Sequence, residues 1–374
     1  MGLNKLGQYI KTCDLRNTEG ELGEDSVVGI STQKMMIKTK ANLDGVNLSS
    51  YKLLPPSCFA YVADTSRRGD KISLCFNNTE DTFLVSSITT IFSITDEEKL
   101  NADYLFMYFN RPEFDRYSRY NSWGSARETF DWSDMCAIEI DLPPLDIQQK
   151  YVDVYNAMIA NQQCYERGLE DLKLVCDAYI EELRRKMPSE KIGPYIVRHD
   201  IRNSDNKIKN VKGVSTSKEF REPTSKVNRN ELANYKIVRP RQISFVQTTH
   251  NEKVFAYAFN NTNEDIVVTS VNEVFSVNEN KLLPEYLSAF FNRTEFDRYA
   301  RFHSWGSARE TFTWNDLIDV EIPIPSIEIQ QSIVNIYKVY LQRKAINERL
   351  KEQIKSICPI LIKGSLEEAR KKEV

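Results

Sequence analysis

One stretch of this chain occurs twice with few changes. Residues 109–134, FNRPEFDRYSRYNSWGSARETFDWSD, return at 291–316 as FNRTEFDRYARFHSWGSARETFTWND, and 20 of the 26 positions match after a shift of 182. Shorter landmarks upstream repeat at similar shifts, including DLRN at 14–17 as DIRN at 200–203. Solenoid repeats run about 20 to 50 residues, so this period is far too long for one. The sequence therefore predicts two copies of a whole domain.

A long periodic segment follows each copy. In the first segment apolar residues recur in steps close to three and four, which is helical spacing: Ile147, Tyr151, Val154, Met158, Tyr165, Leu169, Leu172, Cys176, Tyr179 and Leu183. The second segment begins after Pro325, with Ser326 as its N-cap and Glu328 in its first turn. At 1.5 Å per residue, a helix of about 40 residues is about 60 Å long. Pro359 and Gly364 predict that the last helix kinks or frays before its charged end.

The predicted order is a domain at 1–144, a helix at 145–188, a second domain at 189–325 and a second helix at 326–374. Two helices with apolar seams most simply bury those seams against each other. If they pack as an antiparallel coiled coil, an approximate two-fold axis relates the two copies. Duplex DNA has the same symmetry, and two-fold proteins read half-sites about one helical turn apart. The alternative is a two-domain protein whose helices only tether its domains.

Within each copy, short β-type runs precede a helix. The runs CFAYV, ISLCF and TFLVSSITTIFSI, and their counterparts in the second copy, alternate with turn residues. A helix is predicted at 104–110, and again at 286–292, continuing into the FDRY segment. We therefore predict an α+β fold with two homologous domains and two long helices.

The layout and several motifs resemble the specificity subunit of type I restriction-modification systems. The resemblance rests on the opening KLGQYI, on the GSxR stretches at 124–127 and 306–309, and on LPPLDIQQ or IPIPSIEIQQ entering a long helix. The stretch that begins at Gly29 also resembles one group of target-recognition domains of that family. The resemblance covers essentially the whole chain. It implies that each copy reads half of a bipartite target in double-stranded DNA, and that the helices hold two methyltransferase subunits, with restriction subunits joining through the complex.

Composition agrees with a soluble cytoplasmic protein. Hydrophobic residues make up 41% of 374 residues, and no run of about 18 apolar residues is present. The seven cysteines form no CxxC pair and are expected to be reduced. His199, His250 and His303 are dispersed, so no metal site and no cofactor is predicted.

The charge distribution is unusual for a protein that binds DNA alone. The net charge is −3 for the whole chain, but residues 1–144 carry −6 and residues 327–374 carry +4. Proteins that neutralise many phosphates are usually basic. We therefore expect the isolated chain to bind DNA weakly, and partner subunits to share the phosphate contacts.

The first of three candidate patches for DNA contact is TSRRGDK in copy one and TTHNEK in copy two. Its candidate residues are Arg67, Arg68 and Lys71, and then His250, Asn251 and Lys253. Arginine suits guanine and asparagine suits adenine, so equivalent loops with different chemistry fit two different half-sites. A solvated hairpin tip is the alternative.

The second patch is the repeated SWGSARETF loop. Its candidate phosphate ligands are Arg119, Ser122, Ser125 and Arg127, with Arg301, Ser304, Ser307 and Arg309 in the second copy. Phosphate contacts position a protein without specifying sequence, which fits their identity between copies. In the alternative, Arg127 and Arg309 pair with glutamates. The aromatic residues of the stretch are predicted to form a core corner: Trp123, Phe130 and Trp132, with Trp305, Phe312 and Trp314. Arg116 and Arg119, with Arg298 and Arg301 in the second copy, either flank DNA or pair with Asp115 and Asp297.

The third patch follows a glycine turn. It contains Thr32, Gln33, Lys34 and Lys38, mirrored by Thr216, Ser217 and Lys218. Short polar side chains of this kind read base edges. A plain surface loop is the alternative.

Enzymatic motifs are missing from the sequence. It contains no GxGxxG, no P-loop, and no Asn-Pro-Pro or Asp-Pro-Pro followed by an aromatic residue; DLPPL at 141–145 only approaches the last. We therefore expect a non-catalytic chain that specifies the target of a methyltransferase and restriction complex. The other class considered is a coiled-coil scaffold whose repeated domains bind protein.

Overall fold

The structure, a computed structural model, describes residues 2–66, 71–125, 127–248, 254–306 and 310–372. Its chain divides into two compact units. Unit 1 comprises residues 1–164 and 347–374, and unit 2 comprises residues 165–346. Each unit therefore contains one copy of the repeat and part of both long helices.

The two units use the same elements in the same order. The first copy contains β1 (Asn4–Lys5), β2 (Ile10–Cys13), β3 (Val28–Ile30), β4 (Met36–Lys38), β5 (Lys52–Leu54), β6 (Phe59–Val62), β7 (Leu74–Phe76), β8 (Phe83–Val85), β9 (Thr89–Ile94), α1 (Ala102–Phe109), α2 (Pro112–Tyr120), α3 (Trp132–Ala137) and β10 (Glu139–Ile140). The first long helix, α4 (Leu145–Lys186), follows it.

The second copy repeats this series. It contains β11 (Ser189–Lys191), β12 (Ile196–His199), β13 (Gly213–Val214), β14 (Phe220–Arg221), β15 (Lys236–Val238), β16 (Ile243–Val246), β17 (Tyr257–Phe259), β18 (Ile266–Val268), β19 (Asn272–Val277), α5 (Pro284–Phe291), α6 (Thr294–Phe302), α7 (Trp314–Ile318) and β20 (Glu321–Pro323). The chain then enters the second long helix, α8 (Ile327–Lys372).

A four-stranded antiparallel sheet lies at the centre of each unit. Its strand order is β2-β9-β6-β7 in unit 1 and β12-β19-β16-β17 in unit 2. Register is equivalent too, since Phe59 pairs with Phe92 and Ile243 pairs with Phe275. The predicted α+β class is confirmed.

Aromatic side chains fill the core between this sheet and the first short helix. In unit 1 the rings of Phe59 and Phe92 stack at 5.0 Å, and Phe109 of α1 meets Phe59 edge-on at 5.8 Å. In unit 2 Phe275 and Phe291 are fully buried in the equivalent core. Burial of such rings is a main source of stability, because each removes a large apolar area from water.

The helix predicted to continue into FDRY is broken in both copies. α1 ends at Phe109 and α2 begins at Pro112, a residue that cannot donate a backbone hydrogen bond to the preceding turn. In the second copy the same break separates α5 from α6, although Thr294 stands at the equivalent position. Proline is therefore not its only cause, and the expectation of one continuous helix is wrong.

The long helices run antiparallel within each unit. In unit 1 the Gln162 side chain donates to Asn347 at 2.9 Å, and Tyr151 near the start of α4 contacts Glu368 near the end of α8. In unit 2 Cys176 packs with Tyr337. The predicted antiparallel pairing is confirmed. α8 passes through Pro359 and continues to Lys372, so the helix does not fray there as the sequence suggested.

A buried glutamine fixes the start of each long helix to its own unit. The Gln148 amide donates to the Lys99 and Pro143 carbonyls, both at 2.8 Å, and accepts from the Asn101 backbone N–H at 2.9 Å. Gln330 makes the equivalent three bonds, to Lys281, Pro325 and Leu283, each at 2.8 Å. Both side chains are fully buried and satisfied. The repeated QQ motif therefore fixes where each helix begins relative to its globular part.

Candidate nucleic-acid interface

The SWGSARETF stretch forms a small closed hairpin in unit 1. The Trp123 N–H donates to the Thr129 carbonyl at 3.1 Å, and the Thr129 N–H donates back to Trp123 at 3.0 Å. Gly124 has φ of 143°, and a Cβ there would lie 2.0 Å from the Arg127 carbonyl oxygen. A side chain at this position is therefore excluded by both the dihedral and the contact.

The same hairpin closes in unit 2. Trp305 and Thr311 exchange backbone hydrogen bonds of 3.2 and 3.0 Å, and Gly306 has φ of 143°. The described residues at the ends of this stretch are therefore closed by the same backbone bonds in each unit.

This hairpin is attached to the segment that leads into the first predicted patch. The Thr65 N–H donates to the Glu128 carbonyl at 2.9 Å, and the Phe130 N–H donates to Ala63 at 2.9 Å. In unit 2 the Phe312 N–H donates to Gln247 at 2.7 Å. The structure thus brings the second patch next to the described residues that precede the first patch, although the two are far apart in sequence.

A buried aspartate connects the third patch to the helix that leads into the second patch. The Asp115 carboxylate of α2 lies 2.6 Å from Lys34 Nζ and accepts from the Ile72 N–H at 3.3 Å. In unit 2 the Asp297 carboxylate lies 2.9 Å from Lys218 Nζ and accepts from the Phe255 N–H at 3.0 Å. Lys34 lies in the β3–β4 turn, and Ile72 directly follows the first patch. In each unit, one carboxylate therefore joins the helix that leads into the second patch to the third patch and to the described segment after the first patch. We call this aspartate (Asp115 or Asp297), together with its lysine and its backbone partner, the aspartate node.

The aspartate node changes the interpretation of two lysines. The side chains of Lys34 and Lys218 are only 4% and 7% exposed. Both adopt positive φ, 59° and 64°, which is uncommon for a residue other than glycine. Burial lowers the pKa of each ammonium, and the ion pair with its aspartate opposes that shift. Lys34 holds the β3–β4 turn against α2, and Lys218 holds the β13–β14 turn against α6. Because neither ammonium is available on the surface, we remove both lysines from the candidate interface.

Several other predicted ligands already have partners inside their unit. The Ser122 hydroxyl donates to the Ser118 carbonyl and the Ser304 hydroxyl donates to Ala300, both at 2.6 Å. Arg119 forms an ion pair with Glu128, and Arg301 forms one with Glu310. Both serines are buried, whereas the arginines keep 41% and 32% exposure. The serines therefore stabilise the loop, and the arginines can reach a ligand only by leaving a glutamate.

The alternative in which these arginines pair with Asp115 and Asp297 is contradicted by the structure. Arg116 pairs with Glu113 at 3.2 Å and Arg298 pairs with Glu295 at 3.0 Å, each within one helical turn. The aspartates are occupied by the buried lysines instead.

Besides Arg119, four predicted ligands are described and exposed. They are Lys38, Lys71, Ser125 and Arg127. The Arg127 guanidinium makes no hydrogen bond or ion pair with any other residue that the structure describes, so the expected glutamate partner is not found there. Seven more predicted ligands lie outside the described residues: Arg67, Arg68, His250, Asn251, Lys253, Ser307 and Arg309.

The aromatic core corner is only partly confirmed. Phe130 and Phe312 are fully buried, and Trp132 and Trp314 pack against the core. Trp123 and Trp305, in contrast, are 67% and 72% exposed, so their assignment to the core is wrong. Each belongs to the closed hairpin, whose backbone bonds turn residue 123 or 305 away from the residues that fill the core.

Sequence reasoning missed two pairs of residues here. The aspartates of the node carried a signal, because FDRY is identical in both copies, but its meaning depended on lysines about 80 positions away. Tyr120 and Phe302, the last residues of α2 and α6, are 79% and 76% exposed. Their only signal was that an aromatic residue is kept at both positions.

Comparison with known proteins bears on the fold and on the second copy. A family model described as the type I restriction modification DNA specificity domain matches residues 203–356. The crystal structure of a type I restriction-modification S subunit from M. genitalium is similar over 97% of this chain and 95% of that one, with a TM-score of 0.59 and 9% identity. Residues 203–356 therefore match a type I restriction modification DNA specificity domain, and the chain shares its fold with the M. genitalium S subunit. No curated protein matches it significantly in sequence.

A second specificity subunit aligns over a similar length. The HsdS subunit from Thermoanaerobacter tengcongensis is 15% identical and covers 97% of this chain and 95% of its own, but its TM-score of 0.40 is too low to add to the argument. Within the described part of this chain, no helix is long and apolar enough to span a membrane, and no group of three or more His, Cys, Asp and Glu residues could hold a metal ion.

Proposed function

We propose that this chain is the DNA-reading subunit of a type I restriction-modification complex, and that each unit reads one half of a bipartite target. The observation that supports the proposal is that, in both units, one aspartate binds the lysine of the third patch and the backbone of a residue that follows the first patch, from the helix that leads into the second. Such a duplicated surface suits two half-sites separated by an unread spacer. Methyltransferase subunits would bind the long helices, and restriction subunits would join through them.

The division between identical and different loops supports separate roles. The hairpins are identical at 122–130 and 304–312, which suits contact with the DNA backbone, the same at both half-sites. We assign phosphate contact to Arg127 and Arg309. The segments 66–71 and 249–253 differ, which suits base reading: Arg67 and Arg68 favour guanine and Asn251 favours adenine.

Catalysis would come from the partners. The sequence lacks the nucleotide-binding and amino-methyltransferase motifs that methyl transfer or DNA translocation requires. Residues 1–144 are acidic, so partner subunits would also supply part of the charge that binds phosphates. The isolated chain should bind any duplex weakly, and assembly with methyltransferase subunits should raise its affinity for the target by orders of magnitude.

A chimera tests the half-site assignment. Residues 200–322 are replaced by residues 14–140, which places the first globular segment in both copies. Together with methyltransferase subunits it should modify a target whose two halves are the same sequence in inverted orientation, read by sequencing the methylated positions. The reciprocal chimera is the control and should give the other half-site twice. Modification of the original motif by either chimera contradicts the proposal.

The phosphate assignment has its own test. Arg127→Ala should weaken binding of the assembled complex to all duplexes alike and reduce the slope of log K against log salt by about one. Arg116→Ala, which removes an exposed arginine paired within its own helix, is the matched control and should leave the slope unchanged. A changed target motif with Arg127→Ala would mean that this residue reads bases.

A further inference from the structure

Each unit exposes two aromatic rings at the same place. Tyr120 and Trp123 are 79% and 67% exposed in unit 1, and Phe302 and Trp305 are 76% and 72% exposed in unit 2. Large rings lose the stabilisation of burial when they remain in water, so matched exposure of four of them indicates a ligand. The hydroxyl of Tyr120 is missing from Phe302. The shared feature is therefore the ring.

The rings are carried by rigid backbone. Trp123 is held through both its N–H and its carbonyl by Thr129, inside a hairpin that only glycine at position 124 permits. Tyr120 is the last residue of α2, a helix fixed from behind by buried Phe114 and by Asp115 of the aspartate node. Because these rings are already held in place, little conformational entropy would be lost when they bind a ligand, and this favours their role as a contact surface.

The charges beside the rings favour nucleic acid. Arg127, four residues after Trp123 in the same hairpin, is exposed and unpaired among the described residues. Exposed Lys71 precedes Ile72, whose N–H binds the aspartate node of the same helix. An aromatic ring can stack on a nucleic-acid base, and exposed cations next to it can contact the phosphates of the same nucleotides. Stacking on an aromatic ring tolerates any base. The tryptophan is identical in both copies, as expected for a contact independent of sequence.

We propose that Trp123 and Trp305, supported by Tyr120 and Phe302, stack on bases at one base step in each half-site of the bound duplex. Apolar side chains inserted in this way unstack a step and bend the DNA. The inference rests on the proposed function, and adds to it a contact that is independent of sequence and of charge. The tryptophan side chain contributes through its π face.

A substitution series tests the π face. Trp123→Ala, Trp123→Leu and Trp123→Phe are each assembled with methyltransferase subunits and titrated against a mixed-sequence duplex of about 40 base pairs at several salt concentrations. The Ala and Leu variants should bind about tenfold to a hundredfold more weakly. The factor should be the same at every salt concentration, because stacking releases no counterions. The Phe variant should keep most of the affinity.

Two further variants serve as controls. Ile88→Ala removes an apolar side chain that is 71% exposed elsewhere in unit 1, and should leave binding unchanged. Tyr120→Ala removes the neighbouring ring at a helix end and should weaken binding less than Trp123→Ala. Equal losses from Ile88→Ala, or wild-type affinity of Trp123→Ala, would overturn the proposal.

Fluorescence reports on the ring directly. The chain has four tryptophans, so the difference between wild-type and Trp123→Phe complexes isolates the emission of Trp123. Acrylamide should quench this emission strongly in the free complex and weakly once the duplex is bound. Unchanged quenching in the bound complex means that the ring stays in water, which rejects the stacking contact.

Failure of this inference can be told from failure of the proposed function. A wild-type complex that binds no DNA, or modifies no bipartite motif, rejects the proposed function itself. A wild-type complex that binds DNA while Trp123→Ala binds equally well rejects only the stacking contact. Loss of co-elution between Trp123→Ala and the methyltransferase subunits without DNA would show that the rings bind protein, and would also overturn the inference.

Discussion

Arg111 in unit 1 and Arg293 in unit 2 occupy equivalent positions of the repeat but have different surroundings. Arg293 is 2% exposed, and its guanidinium pairs with Asp177 at 3.4 Å and with Glu181. Arg111 stacks on the Tyr108 ring at 3.7 Å and donates to the Tyr108 carbonyl. No carboxylate pairs with it among the described residues. The same residue is therefore part of an ionic contact in one unit and a ring contact in the other.

The long helices explain this difference. Asp177 and Glu181 belong to α4, and a shift of 182 gives Pro359 and Lys363 as their counterparts in α8. Unit 1 instead buries Cys358, Leu361 and Ile362 of α8 and joins Tyr104 to Ser365 by a 2.7 Å hydrogen bond. The copies thus diverge at this contact with the far part of a long helix, but agree at the helix starts held by Gln148 and Gln330 and in the bonds that close the hairpin.

The largest expected effect concerns the aspartate node, which both units share. Asp115→Asn should destabilise unit 1 by about 3 to 5 kcal/mol, because it leaves the buried Lys34 ammonium without its counter-charge. Asp297→Asn should cost somewhat less, since Asp297 is 18% exposed against 11% for Asp115. Urea unfolding measures both. Lys34→Met combined with Asp115→Leu is the control and should recover much of the loss; a cost below about 1 kcal/mol for Asp115→Asn would mean that the node is dispensable.

The arginine pair comes next and tests the comparison directly. Arg293→Ala should cost about 3 kcal/mol, toward the low end for a broken buried pair because Asp177 and Glu181 regain water. Arg111→Ala should cost about 1 kcal/mol, for the loss of its stacking on Tyr108. Thermal unfolding with hydrogen exchange in each unit distinguishes them. Equal costs would show that the helix carboxylates add nothing.

The glutamines should behave alike in the two units. Gln148→Leu and Gln330→Leu should each cost about 2 kcal/mol, because each leaves two carbonyls and one N–H buried without partners. The same unfolding measurements apply, with Gln149→Leu as a control on an exposed neighbour. A large inequality between the two variants would show that the helix starts are held differently despite identical hydrogen bonds.

The smallest difference lies at a helix cap. Thr313 caps α7 in a reciprocal capping box with Asp316, whereas Asp131 makes no side-chain cap bond at α3. Thr313→Ala should therefore cost about 1 kcal/mol, and Asp131→Ala only a few tenths. Differential scanning calorimetry can detect the loss of stability expected for Thr313→Ala. A cost for Asp131→Ala as large as that for Thr313→Ala would reveal a cap in solution that is missing from the structure.

The sequence predicted the architecture well because its signals are periodic. The shift of 182 and the three-four spacing of apolar residues give the copy number, the element order and the antiparallel helices. Identity between the two copies says less about the role of a residue, because packing in the core and contact with a ligand can both keep a residue the same. The aromatic residues of the repeated stretch predict a core corner, yet Trp123 is exposed and Phe130 is buried. Only the closed hairpin, which the structure shows, distinguishes exposed Trp123 from buried Phe130.

The sequence by itself determined the duplication, the α+β class and the regions that compose the candidate interface, because these follow from repeats and from local spacing. The tertiary structure decided which side chains are free to bind. Lys34 appeared as a surface cation until the fold brought Asp115, 81 positions away, within 2.6 Å and buried both. Such a contact is set by how the elements pack, and no local pattern encodes it. The same packing left Trp123 in solvent beside an exposed Arg127, because the hairpin's own hydrogen bonds turn residue 123 away from the core.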